Sequence, residues 1–381
     1  MPNSTSRPID PAIAAAALRQ AVSIVDLAAI GSNFRTLAAA SAPAECAAIV
    51  KGDGYGLGML PVARAAWQAG ARLFFVARVE DGVELRQEFP EARIAVLDGL
   101  ANHKPNDFVR GRLIPVIGSA GDLQSWLAVK APSPFMLHVD TAMNRLGLKP
   151  QELAGLASLL RGSPHPVAAY LTHFASADDG DRVLCRLQVE RFRAALASLR
   201  SAPLSIANSS GLYLDPAWRA DITRPGKALY GINPAQPGEP TPVQQALTVL
   251  APILQIKDIA PGDTVGYSAT FRATRPMRIA TLGIGYANGY LRSLSNTGVV
   301  AFEGTRAPLV GRVSMDLVTV DVTDVPSAAL SGGYAEALGP TIGLTELSAL
   351  AGSNEYELQI ALGRGCQRIY INEGAHDAAP V

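Results

Sequence analysis

The chain has 381 residues, of which 48% are hydrophobic and 17% are charged, and its formal net charge is zero. This composition supports a large folded core and excludes an intrinsically disordered chain. The balanced charge argues against a nucleic-acid partner. The three cysteines, Cys46, Cys185 and Cys366, are far apart in sequence, so we expect neither a disulfide framework nor a metal cluster, and a reducing compartment fits. No apolar stretch near the N-terminus is long enough for a signal peptide or a membrane span, so we expect a cytoplasmic protein without a membrane partner.

The first part of the chain alternates short apolar runs with helical patterns. A predicted strand at 22–27 and a predicted helix at 26–41 come first. Eight apolar runs follow, at residues 46–51, 73–77, 94–97, 113–117, 135–139, 168–173, 204–207 and, more weakly, 222–230. Helical segments between them include 60–68, 119–129, 151–160 and 183–199. This alternation predicts a (β/α)8 TIM-type barrel. A doubly wound open sheet is the alternative, disfavoured by the count of eight runs and by the lack of G-x-G-x-x-G after the first strand.

A different pattern follows the barrel segment. Residues 233–242 contain four prolines and one glycine, which predicts a linker because such a segment fits neither a helix nor a central strand. Beyond it, extended runs at 247–256, 277–284, 299–302, 308–313 and 317–322 predict a mostly β domain, with a short helix at 346–351 and a closing strand at 368–371. The expected division is therefore an N-terminal segment at 1–27 whose strand joins the β domain, a barrel at 28–233 and a β domain at 243–381.

The most informative stretch lies at 46–58 and has the sequence C-A-A-I-V-K-G-D-G-Y-G-L-G. An apolar run ends on one lysine, Lys51, and the glycines after it allow the backbone to approach a ligand closely. An amine held out of water at the end of a buried strand can become a Schiff-base nucleophile. The alternative is a surface lysine that opens a loop, and the spacing alone does not choose between the two.

Other polar residues follow later strands of the predicted barrel, where barrel enzymes place their active sites. They are His138, Asp140 and Arg145 at or just past the end of the fifth run, His173 at the end of the sixth, Asn208 to Gly211 at the end of the seventh and Arg224 to Gly226 in the eighth. The last two loops often hold a phosphate, so this pattern predicts a phosphate-bearing ligand beside a lysine, for which pyridoxal phosphate is the simplest answer. Singly, His173 could be a core histidine, Arg145 a partner of Asp140, and Ser209-Ser210 a turn. Their convergence on one barrel mouth favours a functional site.

Nine segments resemble those of alanine racemases. The stretch A-A-I-V-K-G-D-G-Y-G-L-G resembles the family's pyridoxal-phosphate lysine motif. The other segments are H-V-D-T-A-M-N-R-L-G-L (138–148), T-H-F-A-S-A-D (172–178), A-N-S-S-G (207–211), R-P-G-K-A-L-Y-G (224–231), V-G-Y-S-A-T-F (265–271), I-G-Y-A-N-G-Y (284–290), V-S-M-D (313–316) and N-E-Y-E-L (354–358). The resemblance covers about residues 22 to 370 and implies an enzyme that interconverts L-alanine and D-alanine and supplies D-alanine for cell-wall peptidoglycan.

The resemblance also implies roles for individual residues. The two catalytic bases are Lys51, which carries the cofactor covalently, and Tyr267 on the opposite face of the substrate, helped by a hydrogen-bond chain through His173 to Arg224. The cofactor-binding residues are Lys51, Tyr55, Arg145, His173, Asn208, Ser209, Arg224, Gly226, Lys227 and Tyr356. The substrate-binding residues are Arg145, Tyr286, Met315 and Asp316. The implied assembly is a homodimer with shared active sites and no bound metal.

Three positions depart from the family pattern. His138 stands where the family often has a lysine modified to a carbamate, so Arg145 must be held in another way. Asn288 stands where an aspartate is usual, and Gln367 where a proline is common. None of these changes removes a catalytic group.

Two other classes of protein remain as alternatives. Decarboxylases of basic amino acids share a barrel-plus-β architecture, but they place an acidic residue where this chain has Arg224. A barrel-only protein that binds the cofactor for homeostasis would lack residues 243–381. The breadth of amino-acid substrates and the strength of the dimer stay open at the level of sequence.

Overall fold

The computed structural model describes residues 10–235 and 239–374. The chain divides into two compact units. The barrel unit contains residues 29–54 and 58–244, and the β unit contains the chain up to Ala28, residues 55–57 and the chain from Gln245 onwards.

The strands, in chain order, are β1 (Val22–Asp26), β2 (Glu45–Cys46), β3 (Ala48–Ile49), β4 (Leu73–Val76), β5 (Arg93–Val96), β6 (Ile114–Ile117), β7 (Phe135–His138), β8 (Val167–Leu171), β9 (Leu204–Ser205), β10 (Ile222–Thr223), β11 (Leu247–Ile259), β12 (Thr264–Val265), β13 (Phe271–Arg272), β14 (Met277–Leu282), β15 (Val299–Phe302), β16 (Thr305–Pro308), β17 (Val318–Asp321), β18 (Tyr334–Leu338) and β19 (Gln367–Ile371).

The helices are α1 (Pro11–Ala17), α2 (Leu27–Ser41), α3 (Lys51–Tyr55), α4 (Met59–Gln68), α5 (Val79–Glu88), α6 (Pro105–Gly111), α7 (Ala120–Leu127), α8 (Pro150–Gly162), α9 (Arg182–Leu196), α10 (Ser209–Leu214), α11 (Leu344–Leu350) and α12 (Glu355–Gly365). Single 3₁₀ turns lie at Pro216–Trp218, Lys227–Tyr230, Tyr267–Ala269, Tyr286–Asn288, Arg292–Leu294 and Ser327–Leu330.

The barrel unit is built on one parallel sheet with the order β2-β10-β9-β8-β7-β6-β5-β4-β3. Its two end strands, β2 and β3, are consecutive in the chain and are separated only by Ala47, whose N–H donates to Thr223 O at 3.0 Å. The sheet therefore returns to the strand from which it starts and forms a nearly closed barrel. All four residues of β4 and all four of β6 are buried, as expected for barrel strands that are covered by helices on one side and fill the interior on the other.

The β unit contains an eight-stranded sheet whose main path is β16-β15-β18-β11-β1-β19, with β14 and β17 attached through β11. The long strand β11 pairs antiparallel with β1, β14 and β18, and β1 pairs in parallel with β19. A separate pair joins β12 to β13. The predicted fold class, a (β/α)8 TIM-type barrel followed by a mostly β domain, is confirmed.

Several predicted elements differ in detail. The run 308–313 is not a strand, because β16 ends at Pro308 and only an isolated bridge joins Leu309 to Val320; Gly311 has φ +83° and donates its N–H to the Asn296 side chain at 2.6 Å. The last barrel strand ends at Thr223, and a 3₁₀ turn follows Pro225 and Gly226. Strand β18 and helix α12 were not predicted.

The predicted linker lies partly outside the described residues. Residues 236–238 are not described, and the flanking residues 233–235 and 239–242 contain no helix or strand. None of the helices in the described parts of the chain is long and apolar enough to cross a membrane.

Candidate active site

Lys51 begins α3, a single turn of unusual hand at the end of the first barrel strand. Gly52, Asp53 and Gly54 have φ values of 67°, 60° and 59°, so the turn is left-handed, a conformation that glycine adopts freely and aspartate tolerates better than most residues. The turn is closed by Gly54 N–H, which donates to Val50 O at 3.0 Å. The Asp53 carboxylate accepts the N–H of Met59, the first residue of α4, at 3.0 Å. The backbone on both sides of Lys51 is therefore fixed by hydrogen bonds.

The electrostatic surroundings of Lys51 favour its neutral amine. Burial lowers the pKa of Lys51 below the ordinary 10.5, the positive charge of Arg145 lowers it further, and Asp98 opposes both effects. A lysine attacks a carbonyl or removes a proton only as the neutral amine. A lowered pKa raises the fraction of neutral amine near neutral pH. The structure thus favours the reactive interpretation of Lys51 over a surface lysine.

Arg224 is a buried cation that is held by neutral groups. It is 6% exposed, its Nη2 donates to Thr172 O at 2.6 Å, and its Nη1 donates to Ser205 Oγ. No carboxylate forms an ion pair with it among the described residues. Burial lowers the pKa of Arg224 to about 10, so the guanidinium stays charged at neutral pH.

Two neutral imidazoles lie within the electrostatic range of this guanidinium. Burial, followed by the charges of Arg224 and Arg145, lowers the pKa of His173 to about 3. Burial and Arg224 lower the pKa of His138 to about 4, with Asp140 opposing. Both rings are therefore uncharged at neutral pH.

The structure decides between two readings of Asp140. Its carboxylate accepts the backbone N–H groups of Ala142 at 3.2 Å and Asn144 at 3.0 Å. No ion pair joins it to Arg145 within the described residues, and Arg145 is exposed. Asp140 therefore shapes the loop that carries Arg145 and leaves the guanidinium available.

The loops after β9 and β10 begin side by side. Asn208 caps α10 by accepting Gly211 N–H at 2.9 Å, and Ser209 Oγ accepts Ala228 N–H at 3.2 Å. The Lys227 ammonium lies 3.1 Å from Asp178. The start of α10 and the 3₁₀ turn Lys227–Tyr230 therefore lie side by side, in the two loops where the sequence predicts a phosphate site.

Gly211 is required by packing in this loop. A Cβ on Gly211 would lie 2.7 Å from the ring of Phe174, which is 2% exposed. The helix can approach the ring this closely only because residue 211 has no side chain.

The β unit carries the remaining catalytic and substrate candidates. Tyr267 is 70% exposed, Met315 55% and Tyr286 44%, and Asp316 is also exposed. Tyr286 N–H donates to Ser314 O at 3.0 Å, so the Tyr286 turn and the Met315 loop are adjacent. The Tyr267 turn is tied to the same loop because Arg312 Nη1 donates to Ser268 Oγ at 3.1 Å.

Two tyrosines assigned to the cofactor lie together within the β unit. The ring centroids of Tyr55 and Tyr356 are 6.2 Å apart. Gln359, on the same helix as Tyr356, donates to Tyr55 O at 3.4 Å. A Cβ on Gly56 would lie 2.7 Å from the backbone of Ile360, so the glycine allows the segment 55–57 to lie against α12.

The local structure explains why an asparagine stands at position 288. Its Oδ1 accepts Gly285 N–H and its Nδ2 donates to Gly365 O, both at 3.1 Å. An aspartate could accept the first bond but could not donate the second at neutral pH.

The sequence did not predict this role of Asn288. It also did not predict the roles of Thr172, Ser205 and Gln188, which form hydrogen bonds to Arg224 or to the backbone of His173. The one sequence feature that points to a role for Ser205 is its hydroxyl group within the apolar run 204–207.

The barrel site has the donor set that an anionic aldehyde cofactor needs. It has an amine with a lowered pKa at Lys51, a guanidinium at Arg224 that stays charged at neutral pH and pairs with no carboxylate of the described residues, and the start of α10 next to the 3₁₀ turn Lys227–Tyr230. These residues fit pyridoxal phosphate, whose phosphate and ring oxygen are anionic. No group of three or more His, Cys, Asp or Glu side chains in the described part of the chain could hold a metal ion.

The fold and this site define a class of protein, a barrel with a lysine-centred cationic site joined to a β domain. Family models match both parts: the model "Alanine racemase, N-terminal domain" matches residues 25–234, and "Alanine racemase, C-terminal domain" matches residues 246–370. The chain belongs to the alanine racemase family.

Individual relatives agree with this assignment. The chain is 43% identical over 352 residues to an alanine racemase of Acidiphilium cryptum (strain JF-5), covering 91% of this chain and 97% of that protein. It is 40% identical over 363 residues to an alanine racemase of Rhizobium meliloti (strain 1021), covering 91% and 96%.

Solved structures show the same architecture. The crystal structure of alanine racemase from Bartonella henselae with covalently bound pyridoxal phosphate has a TM-score of 0.88 at 36% identity, covering 92% of this chain and 99% of that chain. The biosynthetic alanine racemase from Pseudomonas aeruginosa has a TM-score of 0.84 at 32% identity, with the same coverage.

Proposed function

We propose that this chain is a pyridoxal-phosphate-dependent alanine racemase of the cytoplasm, which interconverts L-alanine and D-alanine and supplies D-alanine for cell-wall peptidoglycan. The observation that carries the proposal is Lys51, an amine at a barrel strand end whose pKa is lowered by burial and by the positive charge of Arg145. Family membership supports the substrate, because the relatives described above are named alanine racemases. The proposal keeps the domain division expected from the sequence, with a barrel at 28–233 and a β domain at 243–381.

In this proposal each barrel residue has a defined task in holding the cofactor. Lys51 Nζ binds it covalently, and Asn208, Ser209 and the backbone N–H groups of Gly226 and Lys227 hold its phosphate. Arg224 would face its ring nitrogen, His173 would lie against the ring, and Arg145 would reach its ring oxygen and the substrate. When bound, pyridoxal phosphate supplies a conjugated ring that accepts electron density from the substrate Cα and so makes the Cα proton acidic.

Racemisation requires a proton to leave one face of Cα and another to arrive on the opposite face. Lys51, as a neutral amine, serves one face, and Tyr267 serves the other. Because tyrosine ionises near pH 10 in water, Tyr267 needs help to act as a base, and the neutral imidazole of His173 is proposed to give that help through a hydrogen bond to Tyr267. Arg224 stays charged at neutral pH, so it would keep an adjacent ring nitrogen unprotonated and would thereby discourage transamination.

We also propose a homodimer in which each active site draws residues from both chains. Tyr267, Tyr286 and Met315 are large side chains that are highly exposed in the β unit. Exposed apolar side chains in one neighbourhood mark an interaction surface, and two-fold symmetry would give two equivalent sites. Tyr55 and Tyr356 complete the proposed cofactor contacts, and Tyr286, Met315 and Asp316 complete the substrate contacts.

The deciding experiment is a chirality and proton-exchange assay with purified protein in D₂O, using a panel of L-amino acids. We expect L-alanine to become racemic and to gain deuterium at Cα, and we expect Lys51→Ala to do neither. Retention of the L configuration and of the Cα proton by a cofactor-loaded wild-type protein would contradict the proposal.

A further inference from the structure

A glutamine on an outer helix of the barrel reaches two loops of the candidate site. Gln188 is in α9 and is 0% exposed, on a buried helix face with Cys185, Val189 and Phe192. A fully buried amide lowers stability unless its donors and its acceptor are satisfied. Its presence on an otherwise apolar face calls for specific partners.

All hydrogen-bonding groups of Gln188 have such partners. Nε2 donates to Thr141 Oγ1 and to His173 O, both at 3.0 Å. Oε1 accepts Ala175 N–H, also at 3.0 Å. An amide has two donor hydrogens and one acceptor oxygen, so the whole side chain is used. It joins the loop after β7 to the loop after β8.

The same network continues to Arg224. Thr141 Oγ1 lies 2.8 Å from Thr172 Oγ1, and Thr172 O accepts Arg224 Nη2 at 2.6 Å. Two successive backbone carbonyls therefore accept hydrogen bonds from different side chains. Arg224 donates to the carbonyl of Thr172, and Gln188 donates to the carbonyl of His173. Because the imidazole of His173 makes no hydrogen bond to the described residues, its place depends on its backbone.

We propose that Gln188 is a positioning residue that fixes His173 relative to Arg224 and thereby determines how the ring of the cofactor is held. This inference rests on the proposed function and deepens it. A merely structural role would predict that losing Gln188 weakens folding and changes nothing else. A positioning role predicts an additional local effect on His173 and on cofactor binding.

A matched control is available at the opposite end of the same strand. His165 precedes β8, is 1% exposed, and its ring contacts Ser133 O at 3.2 Å and Val129 O at 3.1 Å. His165→Leu therefore removes buried hydrogen bonds far along the strand from His173. Barrel residues at that end contribute to stability rather than to catalysis.

The first measurement uses the apoprotein and does not depend on activity. Diethyl pyrocarbonate modifies neutral imidazoles, and peptide mapping by mass spectrometry gives the rate at His173. In Gln188→Leu we expect that rate to rise about fivefold or more, because the backbone of His173 is released. In His165→Leu we expect the wild-type rate at His173, at an equal loss of unfolding free energy.

The second measurement is binding of pyridoxal phosphate to the same proteins, followed by kinetics. We expect Gln188→Leu to weaken cofactor binding about tenfold and to lower kcat by about 10- to 100-fold with little change in KM, since small misplacements of active-site groups have effects of this size. Gln188→Glu keeps the shape and the Ala175 bond but loses both donors when ionised. Its kcat should recover partly as pH falls, because a protonated carboxyl can donate one bond.

Equal behaviour of the Gln188 and His165 variants in all readouts would overturn the proposal. Should Gln188→Leu fail to fold, Gln188→Glu is judged by the same measurements, and a wild-type reaction rate at its His173 would also overturn it. If the wild-type protein binds the cofactor but does not racemise alanine, the proposed function fails, while the reactivity of His173 still decides the role of Gln188.

Discussion

Several candidate site residues are buried in the barrel unit, where Arg145 is an exposed exception, whereas several in the β unit are exposed. In the barrel unit, Arg224 is 6% exposed and His173 has its pKa lowered to about 3 by burial and neighbouring cations. In the β unit, Tyr267 is 70% exposed and Met315 55%. The barrel fold alone pre-organises a cationic binding site, whereas the β unit presents its residues to solvent.

This contrast follows from how each fold holds side chains. A barrel strand can place a polar side chain at the barrel mouth while its backbone is held by neighbours on both sides. The Tyr267 turn instead has positive φ at Ser268 and Ala269, at 60° and 49°. The Tyr267 side chain is left exposed at this turn, as the proposed shared site requires of a residue that reaches the barrel of a second chain.

The prediction with the largest expected effect tests whether the Lys51 and the Tyr267 of one active site belong to different chains. Lys51→Ala and Tyr267→Ala homodimers should each lose roughly 10³-fold or more of the racemase activity, because each lacks one base. When the two variants exchange subunits, a heterodimer has one site that lacks both bases and one site that is intact. Random exchange of equal amounts makes about half of the dimers heterodimers, so about a quarter of wild-type activity should return.

The control for this experiment is Lys257→Ala, which removes an exposed lysine from β11 and should leave activity unchanged. Subunit exchange must be followed directly, for example by native mass spectrometry of differently tagged chains. Complete exchange without recovered activity would mean that Lys51 and Tyr267 act within one chain, and the contrast between the units would need another cause.

A second prediction concerns the barrel unit, in which the fold pre-organises the site. Gly211→Ala places a Cβ 2.7 Å from the Phe174 ring, so we expect a loss of about 1–3 kcal/mol in the free energy of unfolding and weaker cofactor binding. Gly121→Ala in α7 meets no atom within 4 Å and should be neutral or slightly stabilising. Urea unfolding and cofactor titration of both variants check this; equal stabilities would show that the loop has room to move.

The architecture was predictable because most barrel strands lie in apolar runs that a polar or glycine residue follows, as Lys51 follows β3 and His173 follows β8. The left-handed turn after Lys51 was indicated only indirectly, by glycines at 52 and 54. Helix α12 was missed because its sequence after Asn354 mixes charged and apolar residues without a clear helical period. The roles of Gln188 and Asn288 depend on contacts 15 and 77 residues away in sequence, which no local pattern records.

A third prediction tests the Asn288 departure in the β unit. Asn288→Asp loses the donor to Gly365 O and leaves a carboxylate beside that carbonyl, so we expect a loss of about 1–3 kcal/mol in unfolding free energy. Asn296→Asp is a matched control, because its Oδ1 accepts Gly311 N–H and its donor lies 3.3 Å from Thr270 Oγ1 at an exposed position. That variant should change stability by less than about 0.5 kcal/mol. If the two variants lose equal stability, the Gly365 bond is not the reason for the asparagine.

A fourth prediction concerns His138, whose pKa is affected by Arg224, Asp140 and Arg145. Its pKa is about 4 in the folded protein against an ordinary 6.5, so the unfolded chain binds the proton more readily between these values. Stability from this residue is therefore present above pH 6.5 and is lost as pH falls towards 4. Between pH 7 and pH 5 this loss should be about 2 kcal/mol.

His138→Gln removes this titration while keeping a polar side chain of similar size. We therefore expect the variant to lose less stability than the wild type between pH 7 and pH 5, by up to about 2 kcal/mol. His173 remains in both proteins and contributes the same trend to each, so the comparison isolates His138. Urea unfolding of the apoproteins at several pH values gives the two slopes. Parallel slopes would show that His138 is protonated without cost in the folded barrel, and that this part of the site is less firmly pre-organised than Arg224.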